Sequence, residues 1–256
     1  AGQDFRLYEE KIAGYRNFGN KLWNVARYIF GTIEVHVDKS LTLFRKKPVS
    51  LADKWILSRL NKLVTSVTND LEKFRLGKAG EDLYEFAWHE FADWYLEISK
   101  LQKKSFAFYI LSSTLRLLHP FMPFITEEIW QKICKVGAAQ ACSTIGVKPL
   151  MIQPWPKPVK KFINAKAEKE FKIIQDIIIG IRNARAKHKI EPAKFIETYA
   201  VTKTKKKLLD EQKEIIERLA RVKLEVRSKK PRVKKAITFH ISGIDIVLFL
   251  MSLKSL

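Results

Sequence analysis

The sequence predicts a mainly α protein, an antiparallel helical bundle followed by a small α/β domain, and three observations predict it. Apolar residues recur at helical spacing through most of residues 1–136. A proline-rich stretch around one Trp, Met151-Ile152-Gln153-Pro154-Trp155-Pro156, then interrupts the pattern. Beyond Pro192 the period changes from helical to alternating, the spacing of half-buried strands. The expected domains are a helical bundle over 1–136, a Pro/Trp connector over 137–158, and a basic helix plus small α/β domain over 159–256.

In chain order, the first helix runs to about Phe30, with Phe18, Leu22, Val25 and Ile29 spaced to face a core. Its opposite side stacks Arg16, Asn20, Asn24 and Arg27, with Asn17 and Lys21 beside them; the plain alternative is a satisfied solvent face. The connection 31–49 holds Phe44-Arg45-Lys46-Lys47-Pro48, an aromatic followed by three cations. Ser50-Leu51-Ala52-Asp53 reads as a capping box with Asp in place of Glu. It opens a helix in which Ile56, Leu60, Leu63, Val67, Leu71 and Phe74 keep the period and Leu76-Gly77 is the stop.

Leu83–Ser99 is apolar over most of its girth, as in the middle of a bundle. Leu83, Phe86, Ala87, Trp94 and Ile98 form one stripe and Tyr84, Trp88, Phe91 and Tyr95 a second, leaving Glu85, His89, Asp93 and Glu97 on the remaining side. The next helix ends at His119, in a corner made by His119-Pro120-Phe121-Met122-Pro123. Pro120 is expected to push His119 to extended geometry, and Pro123 to occupy the first turn of a shorter fifth helix reaching Lys135. Thr126, Glu127 and Glu128 are expected in that first turn, where the dipole favours negative charge.

Trp155 is expected to pack on the bundle. A basic amphipathic helix follows over about 165–188, with Phe171, Ile174, Ile178 and Ile181 inward and Arg182, Arg185, Lys187 and Lys189 near its end. Phe195–Val201 reads as a strand and Lys206–Ala220 as one helix. Val222, Leu224 and Val226 alternate with charged residues, and Ala236–Ile241 with Ile244–Phe249 make a hairpin around Ser242-Gly243.

Charge narrows the function. The chain of 256 residues carries a net +21 with pI near 9.9. Residues 157–235 hold 25 Lys/Arg against 10 Asp/Glu, so 15 of the 21 surplus charges lie there. Such a surplus points to a polyanion, nucleic acid or an anionic surface. An aromatic beside cations in a loop, Phe44-Arg45-Lys46, suits a stacked base with neutralised phosphates. Cys134 and Cys142 make no disulfide framework and no metal-ligand spacing, which fits a reducing cytosol. There is no apolar run of about 18 residues to span a membrane. The five His are scattered, and there is no Gly-rich phosphate loop and no nucleophile or metal constellation. The start at Ala1 without Met marks the chain as an expected piece of something longer.

Six segments carry a resemblance: GYRNFGNKLWNVARYIF (14–30), LADKWILSRLN (51–61), LYEFAWHEFADWYLEISK (83–100), LRLLHPFMPFITEEIWQ (115–131), IQPWP (152–156) and GIRNARAKHKIEPAK (180–194). Together they resemble the class I aminoacyl-tRNA synthetases, in the portion after the catalytic domain, and within them the valyl family. The isoleucyl and leucyl families share the bundle and the corner and are the alternative. The resemblance implies a bundle that docks the anticodon stem and loop of a tRNA, tRNA(Val) for the valyl family. On that reading Arg16, Asn20, Lys21, Asn24, Arg27, Phe44, Arg45 and Lys46 contact the anticodon. Lys54, Arg59, Arg182, Arg185, Lys187 and Lys189 contact the backbone.

ATP and valine would bind a catalytic domain expected upstream. Its HIGH and KMSKS signatures are absent here, so no cofactor and no amino-acid activation is expected of this chain alone. A cytoplasmic location follows. At the other end the family continues into a coiled coil, whereas this chain runs into VLFLMSLKSL, an expected truncation. The competing class is a basic helical scaffold that binds an acidic protein or a membrane surface.

Overall fold

A computed structural model describes residues 8–32, 48, 50–101, 106–135, 148–191, 193–229 and 236–249. The chain divides into two compact units, Ala1–Asn164 and Ala165–Leu256. The first is helical and the second mixed, as the sequence predicts.

In the first unit, α1 spans Glu9–Thr32 and buries Phe18, Leu22, Val25 and Ile29, the four residues expected inside. Helix α2 spans Leu51–Glu72. Its capping box is formed, with the Asp53 N–H donating to Ser50 Oγ at 3.0 Å and the Ser50 N–H to Asp53 Oδ2 at 3.3 Å. The expected stop at Leu76-Gly77 is displaced. The helix closes at Lys73, and Phe74, predicted to be core, takes φ 56° and is 88% exposed. A left-handed residue ends a helix wherever its backbone bonds close the last turn, here Phe74 N–H to Leu71 O and Arg75 N–H to Asp70 O. Leu76-Gly77 instead begins the next helix.

That helix, α3, comprises an α-helical part Leu76–Glu85, a π-helical part Phe86–Tyr95 and a last turn Leu96–Ser99. The wide turn, seen in the Leu96 N–H donating to Phe91 O, changes the phase of the helix. Trp94, expected inward with Leu83, Phe86, Ala87 and Ile98, is half-buried, while Ala92 and Leu96 are buried. Spacing at 3.6 residues per turn does not foresee this shift.

Helix α4 spans Ala107–Leu118 and α5 spans Pro123–Lys135. His119 is helical, φ −54° and ψ −40°, not extended. Pro120 disfavours that conformation without forbidding it. Here the His119 N–H bonds Leu115 O at 2.9 Å and its Nδ1 meets Thr126 Oγ1 at 2.8 Å. The Thr126 hydroxyl also reaches Met122 O at 2.8 Å, so one side chain links the corner to the first turn of α5. Pro123 opens α5 as expected, but Glu127 and Glu128 fall beyond its first turn. Glu127 holds the connector instead, its Oε2 accepting the Leu150 N–H at 2.8 Å.

The described connector residues, 148–158, and the segment that follows them to Asn164 form a strap over the helices of the first unit. The Trp155 indole donates to Thr68 Oγ1 at 2.9 Å, the Val159 N–H to Asn61 Oδ1 at 2.6 Å, and the Asn164 N–H to Ser58 Oγ at 2.8 Å. Three polar side chains one to two turns apart along α2 thus bind one extended segment, and the division between units falls after Asn164.

In the second unit, α6 spans Ala165–Lys187 with Phe171, Ile174, Ile178 and Ile181 buried. Strand β1 is Ile196–Val201. The single helix expected over 206–220 is two, α7 over Lys206–Glu211 and α8 over Lys213–Ala220, broken where buried Gln212 leaves helical geometry at φ −104°, ψ 10°. Strand β2 is Val222–Arg227, and β3 (Ala236–Ile241) and β4 (Ile244–Phe249) form the predicted hairpin. Ser242 and Gly243, φ 50° and 76°, supply the paired positive angles a two-residue hairpin turn needs. The sheet order is β2-β1-β4-β3, with β1 and β2 parallel and the other pairs antiparallel. Helix α6 lies so close to β3 at Gly180 that a Cβ there would stand 2.5 Å from Ile241 Cδ1.

Candidate RNA-binding surface

The polar stripe of α1 does not face open solvent along its whole length. Asn17, Asn20, Lys21 and Asn24 line a concave site of about 450 Å³ whose other wall is α3, through Asp93, Glu97 and Lys100, with Val25, Ala92 and Leu96 as its apolar floor and Tyr28 at its side. Helix α1 meets α3 there because the aromatic face of α3 packs on α1. The Phe18 ring lies 4.9 Å from Tyr84 and 6.2 Å from Trp88, which sets the two backbones side by side.

Charge in the site is paired across and along these helices. Lys21 Nζ stands 2.5 Å from Asp93 Oδ1 and 4.1 Å from the centre of the Trp88 ring. Lys100 Nζ lies 2.5 Å from Glu97 Oε1 and 4.9 Å from the centre of the Tyr28 ring. His89 Nδ1 reaches Asp93 Oδ2 at 3.2 Å. Two carboxylates, two ammonium groups and three carboxamides therefore meet around one cleft, a set that both donates and accepts hydrogen bonds.

Of the residues expected to touch the anticodon, Asn20, Lys21 and Asn24 come together here. Arg16 and Arg27 are exposed on the same helix but do not line the cleft. Phe44, Arg45 and Lys46 lie outside the described residues. Among the expected backbone contacts, Lys54 is half-buried and Lys187 and Lys189 are exposed. Arg59 is clamped by Glu90, with Nε at 2.9 and 3.0 Å from its carboxylate oxygens and Nη2 at 2.7 Å. A bidentate pair of this kind already satisfies the geometry a phosphate would ask of Arg59.

Arg182 is exposed, with Nε and Nη2 donating to Leu219 O. Arg185 is a correction: only 6% exposed, it belongs to the fold and not to a ligand surface. Its guanidinium donates to the carbonyls of Ala220, Arg221, Glu191 and Lys194 at 2.6–3.2 Å. Burial, and after it the nearby Arg221, lowers its pKa.

Sequence reading missed the far wall. Asp93 and Glu97 were placed on the polar side of their helix, but Tyr28 and Lys100 carried no signal, and the contact between α1 and α3 is tertiary. Among the described residues there is no cluster of His, Cys, Asp and Glu able to hold a metal ion. Among them, too, no helix is long and apolar enough to cross a membrane.

A helical bundle with a polar cleft, followed along the chain by a basic mixed unit, defines a class, and the sequence comparison agrees. Residues 53–201 match the family described as the anticodon-binding domain of tRNA ligase, and the chain belongs to that family. Within it, the chain is similar to valine–tRNA ligases. It is 36% identical to that of Carboxydothermus hydrogenoformans over 264 residues, covering 98% of this chain and 29% of that protein. It is 37% identical to that of Pseudothermotoga lettingae over 238 residues, covering 90% of this chain and 26% of the relative. With that of Bacillus licheniformis it shares 35% identity over 261 residues, 96% of this chain and 28% of the relative. The chain thus spans less than a third of the length of the curated relatives it matches.

Proposed function

We propose that this chain binds the anticodon stem and loop of a tRNA, tRNA(Val), as the anticodon module of a cytoplasmic valine–tRNA ligase. The observation that carries the reading is the polar α1–α3 cleft in a chain of the anticodon-binding family. Unpaired loop bases can be splayed into such a cleft and hydrogen-bonded along their edges by Asn20 and Asn24, with Arg16 and Arg27 at its approaches. Phe44, Arg45 and Lys46, in the sequence that connects α1 to α2, remain the proposed stacking and phosphate contacts. Lys54, Lys187 and Lys189 supply salt-sensitive affinity for the backbone. Amino-acid activation, with ATP and valine, falls outside this chain, which needs no cofactor of its own.

Binding of the chain to a valine-type and an isoleucine-type anticodon hairpin across a salt series tests the proposal. Tighter valine-type binding is expected, with both affinities falling as salt rises. Arg27→Ala should weaken the valine-type complex more than the other, and loss of both to the same degree would remove Arg27 from base readout. Absence of binding to either hairpin at any salt would favour a scaffold that binds an acidic partner.

A further inference from the structure

We infer that the second unit carries an RNA site of its own, a shelf at the β1–β2 edge of the sheet where an unpaired nucleotide stacks on the Arg227 guanidinium and lysines of the 202–207 loop neutralise its phosphates. The inference rests on the reading of the chain as a tRNA-binding module, and it uses none of the α1–α3 residues.

Strand register builds the shelf. Tyr199 on β1 lies opposite Glu225 on the parallel strand β2, and Val201 lies opposite Arg227. Residues two apart on a strand share a face, so Tyr199, Glu225 and Arg227 stand on one side of the sheet. It is the side turned away from α6, because α6 meets Phe239 and Ile241 of β3, and Phe239 pairs with Ile246 whereas Tyr199 pairs with Val247.

Arg227 is held in place by two neighbours. Its guanidinium carbon lies 4.1 Å from the centre of the Tyr199 ring, and its Nε and Nη2 donate to Glu225 Oε1 and Oε2 at 2.8 and 3.0 Å. The Tyr199 ring is itself braced edge-on by Phe249, with centroids 4.7 Å apart. A guanidinium plane stacks on a nucleobase as it does on an aromatic ring. One face of the Arg227 plane is committed to Tyr199, yet the side chain is 40% exposed, so the other face is open to a base. Glu225 engages the edge of the guanidinium, not its plane, and the neutral pair does not repel RNA. Stacking asks only for a π-face, so the shelf has no base preference.

The phosphate side lies next to it. The Thr202 N–H donates to Arg227 O at 2.9 Å, which sets the loop after β1 beside the shelf. Residues 202–207 read TKTKKK, with four lysines and no acid. Lys205 ties this loop to the β3–β4 turn, its Nζ donating to Ser242 O at 2.5 Å, while Lys203, Lys206 and Lys207 are exposed. Lys229, just past β2, is exposed as well. A ring-backed stacking plane beside a row of cations is the combination by which proteins hold single-stranded nucleic acid. A staple serving the fold alone gives no reason for the lysine row.

The probe is a short oligouridylate, compared with an abasic strand of the same length and charge. The parent chain should bind the base-bearing strand about tenfold more tightly, and oligocytidylate should show the same gain. Arg227→Lys keeps the charge and removes the plane, so it should reduce the gain to within about twofold while the salt dependence persists. Lys203→Gln combined with Lys206→Gln should instead weaken both strands alike and flatten the salt dependence. A thiouridine-bearing strand should photo-cross-link to β1 or β2 in the parent and lose that product in Arg227→Lys. An unchanged gain in Arg227→Lys, with thermal melting showing it folded, overturns the inference, and so do equal binding of the two strands by the parent or cross-links confined to the first unit. In each of these cases a preference between the valine-type and isoleucine-type hairpins would leave the anticodon reading intact. Failure to bind any RNA at low salt overturns both.

Discussion

Tyr95 shows how much one side chain decides. It is fully buried; its hydroxyl donates to Asp53 Oδ1 at 2.6 Å and accepts the Phe106 N–H at 2.8 Å. One phenol thus ties the start of α2, the middle of the bundle and the start of α4. Burial, then the charge of Asp53 and the hydrogen bond to it, push its pKa well above the ordinary value, against a smaller lowering by Phe106. A raised pKa in the folded state means the contribution is complete below about pH 10 and is lost as pH rises through the folded value. Tyr95→Phe strands a buried carboxylate oxygen and a backbone N–H, at a cost of about 1–3 kcal/mol near neutrality. Chemical denaturation from pH 8 to 11 should show this deficit narrowing as the parent loses its own contribution. Parallel curves for parent and variant would refute the account. The Ser50 box was legible because its partners are three residues apart; the bond between Asp53 and Tyr95, 42 residues apart, was not.

At the scale of elements, the strap is the least helical part of the first unit, and three side chains of α2 hold it by hydrogen bonds. Trp155 lends both a packed ring and a donor to Thr68, whose own hydroxyl still donates to Val64 O at 2.7 Å. Trp155→Phe keeps the ring contact and removes only the donor, so it should cost about 1 kcal/mol. In a double-mutant cycle with Thr68→Val the coupling should be about 0.5–1 kcal/mol, and a value near zero would mean the indole bond contributes nothing. That Trp155 packs on the bundle was readable from prolines that stiffen the segment. Its partners were not, since nothing in Pro154-Trp155-Pro156 names Thr68 or Asn61. Element existence was legible nearly throughout. Errors gathered where local geometry departs from the ideal period: the π-helical part of α3, the helical His119, the early stop at Phe74 and the break at Gln212.

Over the whole molecule, two units with separate cores share one chain. Arg185 holds the second together by tying the end of α6 to the carbonyls of Glu191 and Lys194 and to the corner between α8 and β2. Arg185→Met leaves four carbonyls without their donor and should destabilise that unit by about 3 kcal/mol. Hydrogen exchange should then accelerate in β1, β2 and α8 while the amides of α2 and α3 keep their protection. Equal acceleration in both units would show that they unfold as one. From sequence, Arg185 reads as a surface cation because neighbouring Arg182, Lys187 and Lys189 are; only the fold distinguishes it.

The sequence by itself determined the two-part architecture, the core stripes of α1, α2 and α6, the capping box, the proline corner and the hairpin, since each follows from spacing or backbone chemistry within a few residues. It also determined the family, through segments that extend over most of the chain. The tertiary structure decided which polar groups meet. The cleft exists only because aromatic packing lays α3 beside α1, and it sets carboxylates of one helix against carboxamides of the other across some 70 residues of chain. Packing of that range has no local signature, because any exposed polar face reads the same until another helix is placed against it.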